Sequence, residues 1–264
     1  MPLLTKQAVA LAAAQAGLAP LSLSIHRLDD PVGPAIDIEP QTYLYPASMI
    51  KTPLCLAALT LARDELLQLD QSYAVTAANM TANDKESPLV PGYQATLRQI
   101  IELAITISDN VATNMLFDIA GRERATHIVQ SQYGLTGTAF YRKLSGTEPL
   151  IVDPGWDGVH RNRHNAGDAA RLFASIARRQ VPFAYFLMQT LGKQEFNNKL
   201  TVGLQPGDRF AHKTGDTGEV THDGGILDTA GGASWAIAVY TGLEANDVNN
   251  ARFGPFMTVI RPLL

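Results

Sequence analysis

Only one cysteine, Cys55, occurs in 264 residues, so no disulfide can form within the chain and the redox compartment stays open. Its neighbours Leu54, Leu56, Ala57 and Ala58 mark it as a small apolar core residue and not a reactive thiol. No apolar run reaches the roughly 18 residues that a membrane-spanning helix needs. Charged residues make up 17% of the chain and the formal net charge is −4. With no Lys/Arg cluster to reverse that balance, the charge argues against nucleic acid as the main partner. Internal repeats and low-complexity tracts are missing too. Apolar residues are plentiful, at 46%, enough in a chain of this length to bury a sizeable core.

The punctuation of the chain gives its organisation. Val9–Leu18 is Ala-rich after Lys6 and faintly resembles a secretion signal. The better reading is a folded helix over Lys6–Ala16, capped by Thr5 and ended by Gly17, with residue 1 opening the domain. Leu21–Ile25 alternates strictly, as a half-buried strand does, and Ala35–Glu39 alternates again after the turn-rich Asp29–Pro34. Helical segments then dominate: about 54–69, 97–107, 110–120, 122–132 and 166–179. Gly121 and Gly134 act as stops, and Asn165 with Asp168 forms a start resembling a capping box. Strands return over Arg209–Gly215, Gly225–Asp228 and Ser234–Thr241, with a Gly-rich turn at Thr229–Ala233. In the tail, a short helix would have to accommodate Gly254 and Pro255. Strands from both ends with helices between them predict an α+β fold: a sheet subdomain over 1–46 and 194–264, an all-helical subdomain over 47–193, and a groove between them.

Three short motifs carry chemistry: Ser48-Met49-Ile50-Lys51, Ser108-Asp109-Asn110 and Lys213-Thr214-Gly215. With ten serines and seven lysines in the chain, an S-x-x-K is expected by chance about 0.3 times, so it says little alone. All three in this order have a chance frequency on the order of 10⁻⁴ or below. Each also has an ordinary reading: Ser48 as a helix cap, Ser108–Asn110 as a helix-to-helix turn, Lys213 as a solvated strand lysine.

The residue types fit acyl transfer. Ser48 and Lys51, three apart on a helical turn, share one face. A serine hydroxyl becomes a nucleophile when a neighbouring base takes its proton, and a desolvated lysine can be that base. Lys213 is a cation that would depress the Lys51 pKa by repulsion. The Ser48 N–H and the Asp216 N–H would form an oxyanion hole. Ser108 can relay a proton to a leaving nitrogen, and Asn110 can orient Lys51. Lys213 and Thr214 suit a substrate carboxylate, while Gly215 would keep the strand surface clear for a flat acyl group.

The set, in this order, resembles the S-x-x-K, S-D-N and K-T-G motifs of class A β-lactamases and penicillin-binding proteins. The resemblance extends to Tyr45–Pro53, to Ala104–Asn114, and to His212–Gly215 with Thr221–Gly225. It implies a five-stranded antiparallel sheet with N- and C-terminal helices beside a helical subdomain, an acyl-serine intermediate, no cofactor, and a periplasmic or extracellular location. The implied partner is a small β-lactam or a D-alanyl peptide. The resemblance places Glu148 where the deacylating Glu of class A enzymes stands, but Val152 occupies the position of their water-holding Asn. Glu148 as a plain exposed loop carboxylate is the alternative. Asp216 stands where efficient hydrolases carry a small neutral residue, and it would repel a substrate carboxylate unless it points away or pairs with Lys or Arg.

Two further features have tempting readings. His160 and His164 have a metal-ligand spacing, but Asp153–Asn165 reads as loop with no further ligand, which argues against a metal. Phe183–Met188, with Tyr185 and Phe186, reads as helix core. The leading functional reading is β-lactam hydrolysis through acyl-Ser48. A D-alanyl peptidase, transpeptidase or esterase with slow β-lactam deacylation is the runner-up, and a penicillin sensor that stays acylated comes from a different class. The motifs do not fix the acyl preference or the oligomeric state.

Overall fold

The computed structural model of the protein describes residues 4–29, 36–146 and 150–264. In chain order its helices are α1 (Lys6–Ala16), α2 (Lys51–Arg63), α3 (Leu97–Thr106), α4 (Asn110–Ala120), α5 (Arg122–Tyr133), α6 (Ala166–Ala177), α7 (Ala184–Leu191), α8 (Asp247–Asn250) and α9 (Phe253–Ile260). Its strands are β1 (Leu21–Arg27), β2 (Ile36–Ile38), β3 (Ser72–Ala74), β4 (Gln94–Thr96), β5 (Arg209–Asp216), β6 (Thr221–Asp228) and β7 (Ser234–Thr241). The chain forms two compact units, one of Met1–Met49, His164–Gln180 and Ala184–Leu264, the other of Ile50–Arg163 and Val181–Phe183.

The first unit holds the five-stranded sheet, in the order β2-β1-β7-β6-β5. Each neighbouring pair is antiparallel, so the fold is α+β with strands drawn from both ends of the chain. α1 begins as its cap residue dictates: the Thr5 side chain accepts from the Ala8 N–H, and Gly17 ends the helix at φ 73°. Its Val9, Ala12 and Ala13 join Leu23, Ile25, Trp235, Ile237 and Val239 of the sheet and Phe253, Phe256, Met257 and Ile260 of α9 in one apolar core. Gly254 and Pro255 do not interrupt α9, because they fall in its first turn, where N–H groups have no intrahelical acceptor.

β1 corrects a sequence expectation. Strict alternation reads as a half-buried strand, yet Ser22 and Ser24 are fully buried. The cause is α6, which packs across β1, β7 and β6. The serines stay satisfied: Ser22 donates to the Glu39 carbonyl at 2.8 Å and Ser24 to Asp37 at 2.6 Å. In α7, Leu187 is buried but Tyr185 is 69% exposed, so the aromatic pair is only partly core.

In the second unit, α2 packs against α3, α4 and α5, and every residue from Lys51 to Leu61 is buried. It starts earlier and ends earlier than its apolar pattern suggests. Pro53 is its third residue and removes no intrahelical bond there, and Glu65 at φ 61° turns the chain away. A capping box of Thr96 and Gln99 opens α3, and β3 pairs with β4 as a two-stranded ribbon that the sequence pattern did not reveal.

Candidate active site

In the second unit, Lys51 opens α2 and is fully buried. Its Nζ donates to the Ser108 carbonyl, to Ser108 Oγ at 3.1 Å and to Asn110 Oδ1 at 2.8 Å. Burial pulls its ammonium from the ordinary 10.5 down to about 7. The sequence reading invoked desolvation together with repulsion by Lys213. Desolvation is the largest cause, and the nearby Asp109, Asp84 and Cys55 all act in the opposite direction.

Local structure explains how the S-D-N turn presents these groups. Asp109 caps α4, accepting from the Ala112 N–H at 2.9 Å. Ser108 before it holds φ 57°, a left-handed backbone that costs a non-glycine residue about 1–3 kcal/mol and persists only where its surroundings impose it. Those surroundings include Asn83, which sequence reading did not single out. Its Oδ1 accepts from the Asn110 N–H at 2.6 Å, while Asn110 Nδ2 donates to the Ala82 carbonyl at 2.8 Å.

Glu148 lies outside the described residues, but the chain on either side of it is tightly held. Asn114 accepts from the Leu144 N–H at 2.7 Å and donates to the Leu144 carbonyl at 2.9 Å. Gly146 N–H donates to Thr81 Oγ1 at 2.9 Å, and Ile151 N–H to Ser145 Oγ at 2.9 Å. Asp153 accepts from the Lys143 N–H at 2.7 Å and pairs with Arg122. Val152 points to solvent, 81% exposed.

Ser48 and the third motif belong to the first unit. Ser48 lies in a 3₁₀ turn, Ala47–Ile50, that runs straight into α2. Ser48 itself is partly exposed while Ala47 and Met49 are buried. Ala47, directly before it, holds φ 48°, a second strained non-glycine residue beside a motif serine. β5 is one of the two edge strands of the sheet. The Thr217 N–H donates to the Val220 carbonyl at 2.9 Å, which makes the next register pair, Asp216 and Thr221, a non-hydrogen-bonded one. The backbone N–H and C=O of Asp216, and of Thr214 two residues back, therefore face away from β6 along the open edge. The Lys213 Nζ donates to that Thr214 carbonyl at 2.9 Å.

Two expectations concern this strand. A Cβ on Gly215 would lie 3.0 Å from the Pro46 carbonyl oxygen and 3.1 Å from the Met49 nitrogen. The absence of a side chain at Gly215 thus leaves the face of β5 open to the close approach of the serine-bearing segment. The Asp216 carboxylate takes the paired alternative: Lys199 Nζ lies 2.5 Å from it and Thr221 Oγ1 donates at 2.8 Å. Lys199 is fully buried and also donates to the His222 carbonyl at 2.9 Å. No sequence signal distinguished it from a surface lysine. His212 pairs with Asp223 at 2.8 Å on the same face of β5 as Asp216.

His160 stacks on Tyr141 and bonds Asp157, and His164 packs edge-on to Tyr240. Among the described residues no group of three or more His, Cys, Asp or Glu side chains is placed to hold a metal ion. No helix among them is long and apolar enough to cross a membrane.

Comparison with known proteins now gives the class. The model of the β-lactamase enzyme family matches residues 3–253, and the chain belongs to that family. It is therefore a hydrolase of the β-lactamase type. The extended-spectrum β-lactamase PER-1 of Pseudomonas aeruginosa is 23% identical over 220 residues, 77% of this chain and 70% of PER-1. The structure of PBP-A matches with a TM-score of 0.83 at 22% identity, covering 99% of this chain and 98% of that one. A β-lactamase from Sphaerobacter thermophilus matches at 0.82 and 22% identity, covering 98% of each. At these identities the structural likeness establishes the shared fold.

Proposed function

We propose that the protein opens β-lactam amides in the manner of a class A β-lactamase, through an ester on Ser48. The observation that carries this reading is Lys51, fully buried, with its ammonium brought down to about 7. Near neutral pH a large fraction of such a lysine is the free amine, a base matched to its task. Neutral Lys51 keeps its donors on the Ser108 carbonyl and Asn110 and takes the Ser48 Oγ proton as Oγ attacks the lactam carbonyl. The C–N bond then breaks, and the proton passes through Ser108 Oγ to the leaving nitrogen. The Ser48 and Asp216 N–H groups stabilise the oxyanion. Lys213 and Thr214 hold the substrate carboxylate, which the Lys199-paired Asp216 repels less than an unpaired carboxylate would. Water then attacks the ester, with Glu148 accepting its proton; the bond from the acyl carbon to Ser48 Oγ breaks, and the proton returns to Ser48 Oγ as the product leaves.

A second reading rests on Val152. An exposed valine has no hydrogen bond to offer a deacylating water, so a D-alanyl peptidase, transpeptidase or esterase that releases β-lactams slowly fits the same acylation groups. The periplasmic or extracellular setting implied by the resemblance belongs to both readings. Intact-mass spectrometry during incubation with penicillin G separates them. Rapid return of the unmodified mass as penicillin is hydrolysed supports the β-lactamase, a long-lived adduct the second reading, and neither adduct nor hydrolysed penicillin at any time refutes both.

A further inference from the structure

His222 of β6 was assigned no chemistry by its motif, yet the structure gives it a defined connection to the serine-bearing segment. The ring is fully buried and stacks on Tyr240 at 4.2 Å between centroids and 19° between planes. Nε2 lies 2.8 Å from the Tyr45 carbonyl oxygen, an acceptor only, so Nε2 carries a proton. Nδ1 lies 3.1 Å from the Thr241 N–H, a donor only. The Thr221 carbonyl, 2.8 Å from Nδ1, could receive a proton only from an imidazolium. Burial disfavours that form, lowering the ring to about 4. The ring is therefore neutral, donating to Tyr45 and accepting from Thr241.

Tyr45 is three residues before Ser48, and the chain between them includes strained Ala47 at φ 48°. Downstream of Ser48, the Met49 nitrogen lies close against Gly215. Ser48 is thus held between two anchors on adjacent strands, His222 on β6 and Gly215 on β5. The residue after Gly215 is Asp216, whose N–H faces the open edge. We propose that His222 is a positioning residue: its bond to the Tyr45 carbonyl holds the strained turn against the sheet and so fixes the Ser48 N–H relative to the Asp216 N–H. This inference rests on Ser48 being acylated.

The oxyanion forms both when Ser48 is acylated and when water attacks the ester. Loss of the latch should therefore slow both steps and leave non-covalent binding unchanged. Because an oxyanion donor is displaced and not deleted, the expected loss in each rate constant is about 10- to 100-fold, at or below that of removing one donor. The test compares His222→Asn, which reaches only as far as Nδ1, with His222→Gln, which can still reach the Tyr45 carbonyl as a donor.

Burst kinetics with penicillin G, on protein shown by circular dichroism to be folded, give the acylation and deacylation constants and the non-covalent affinity. The expected result is a loss in both constants for Asn, unchanged affinity, and recovery in Gln. Asn at wild-type rates, or equal losses in Asn and Gln, overturns the assignment. If His222→Asn does not fold, Ala47→Gly loosens the same turn; it should lower both constants, and wild-type rates there overturn the assignment equally. A wild-type chain that penicillin G never acylates removes this inference together with the proposed function. Wild-type acylation with an unaffected His222→Asn removes this inference alone.

Discussion

Replacing Lys51 with Met should produce a pH-dependent change in stability that follows from the burial of its ammonium. In the unfolded chain this lysine has its ordinary value of 10.5, and in the fold about 7. Between those two pH values the unfolded state binds a proton that the folded state has released, so unfolding is disfavoured as pH rises. Burial of Lys51 therefore costs most below about pH 7, and the cost is relieved progressively as pH climbs towards 10.5. The whole gap corresponds to about 5 kcal/mol, and the part between pH 7 and pH 9, where the folded lysine starts out only partly deprotonated, to about 2 kcal/mol. Methionine binds no proton, so the stability of wild type minus that of Lys51→Met should rise by about 2 kcal/mol over that interval. Below pH 7 it should stay level. Other titrating groups are common to both proteins and cancel. Urea unfolding at several pH values, with equal m-values as the check on two-state behaviour, measures the difference. A difference that stays flat from pH 6 to pH 9 would show that Lys51 keeps an ordinary pKa and would refute the reasoning. In the same pH series, acylation by wild type should rise through about pH 7 and level off above it, following the free amine.

Three further outcomes are expected. Lys213→Ala should slow acylation by carboxylate-bearing substrates far more than cleavage of a neutral activated ester; equal losses in kcat/KM would instead assign Lys213 to proton transfer. Glu148→Gln should leave the acylation burst with penicillin intact while the acyl-enzyme accumulates, with Val152→Asn speeding wild-type deacylation; undiminished turnover by Glu148→Gln would make it a plain loop carboxylate. Asp216→Ala strands a fully buried Lys199 and should cost about 3–5 kcal/mol in urea unfolding, whereas Lys199→Met leaves an Asp216 side chain that is 33% exposed and should cost clearly less. Equal costs would contradict that asymmetry.

Where punctuation is local, the sequence was readable. Thr5 and Gly17 bound α1, Gly121 ends α4, and the turn at Thr229–Ala233 separates β6 from β7. α2 was misjudged at both ends because its apolar pattern begins only at Leu54 and runs on through Leu66 and Leu69. In the structure Leu66 is 64% exposed beyond the turn at Glu65. The serines of β1 looked solvated because alternation cannot report a helix arriving from residues 166–177. The same limit applies at the site. Ser48, Lys51, Ser108, Asn110 and Lys213 were singled out as candidates because each motif packs its chemistry into three or four residues. Lys199 and His222 were not, because their meaning lies in partners elsewhere: Lys199 meets Asp216 17 residues away, and His222 meets Tyr45 177 residues away. The full burial of Lys51 was likewise out of reach, since burial is a property of the fold and not of neighbouring letters.

Peptide mapping of the penicillin G adduct, trapped at early times in the wild-type chain, tests the central claim most directly. The account predicts a single modified residue, Ser48, and neither adduct nor turnover in Ser48→Ala. An adduct on Ser108, or turnover by Ser48→Ala at the wild-type rate, would contradict it.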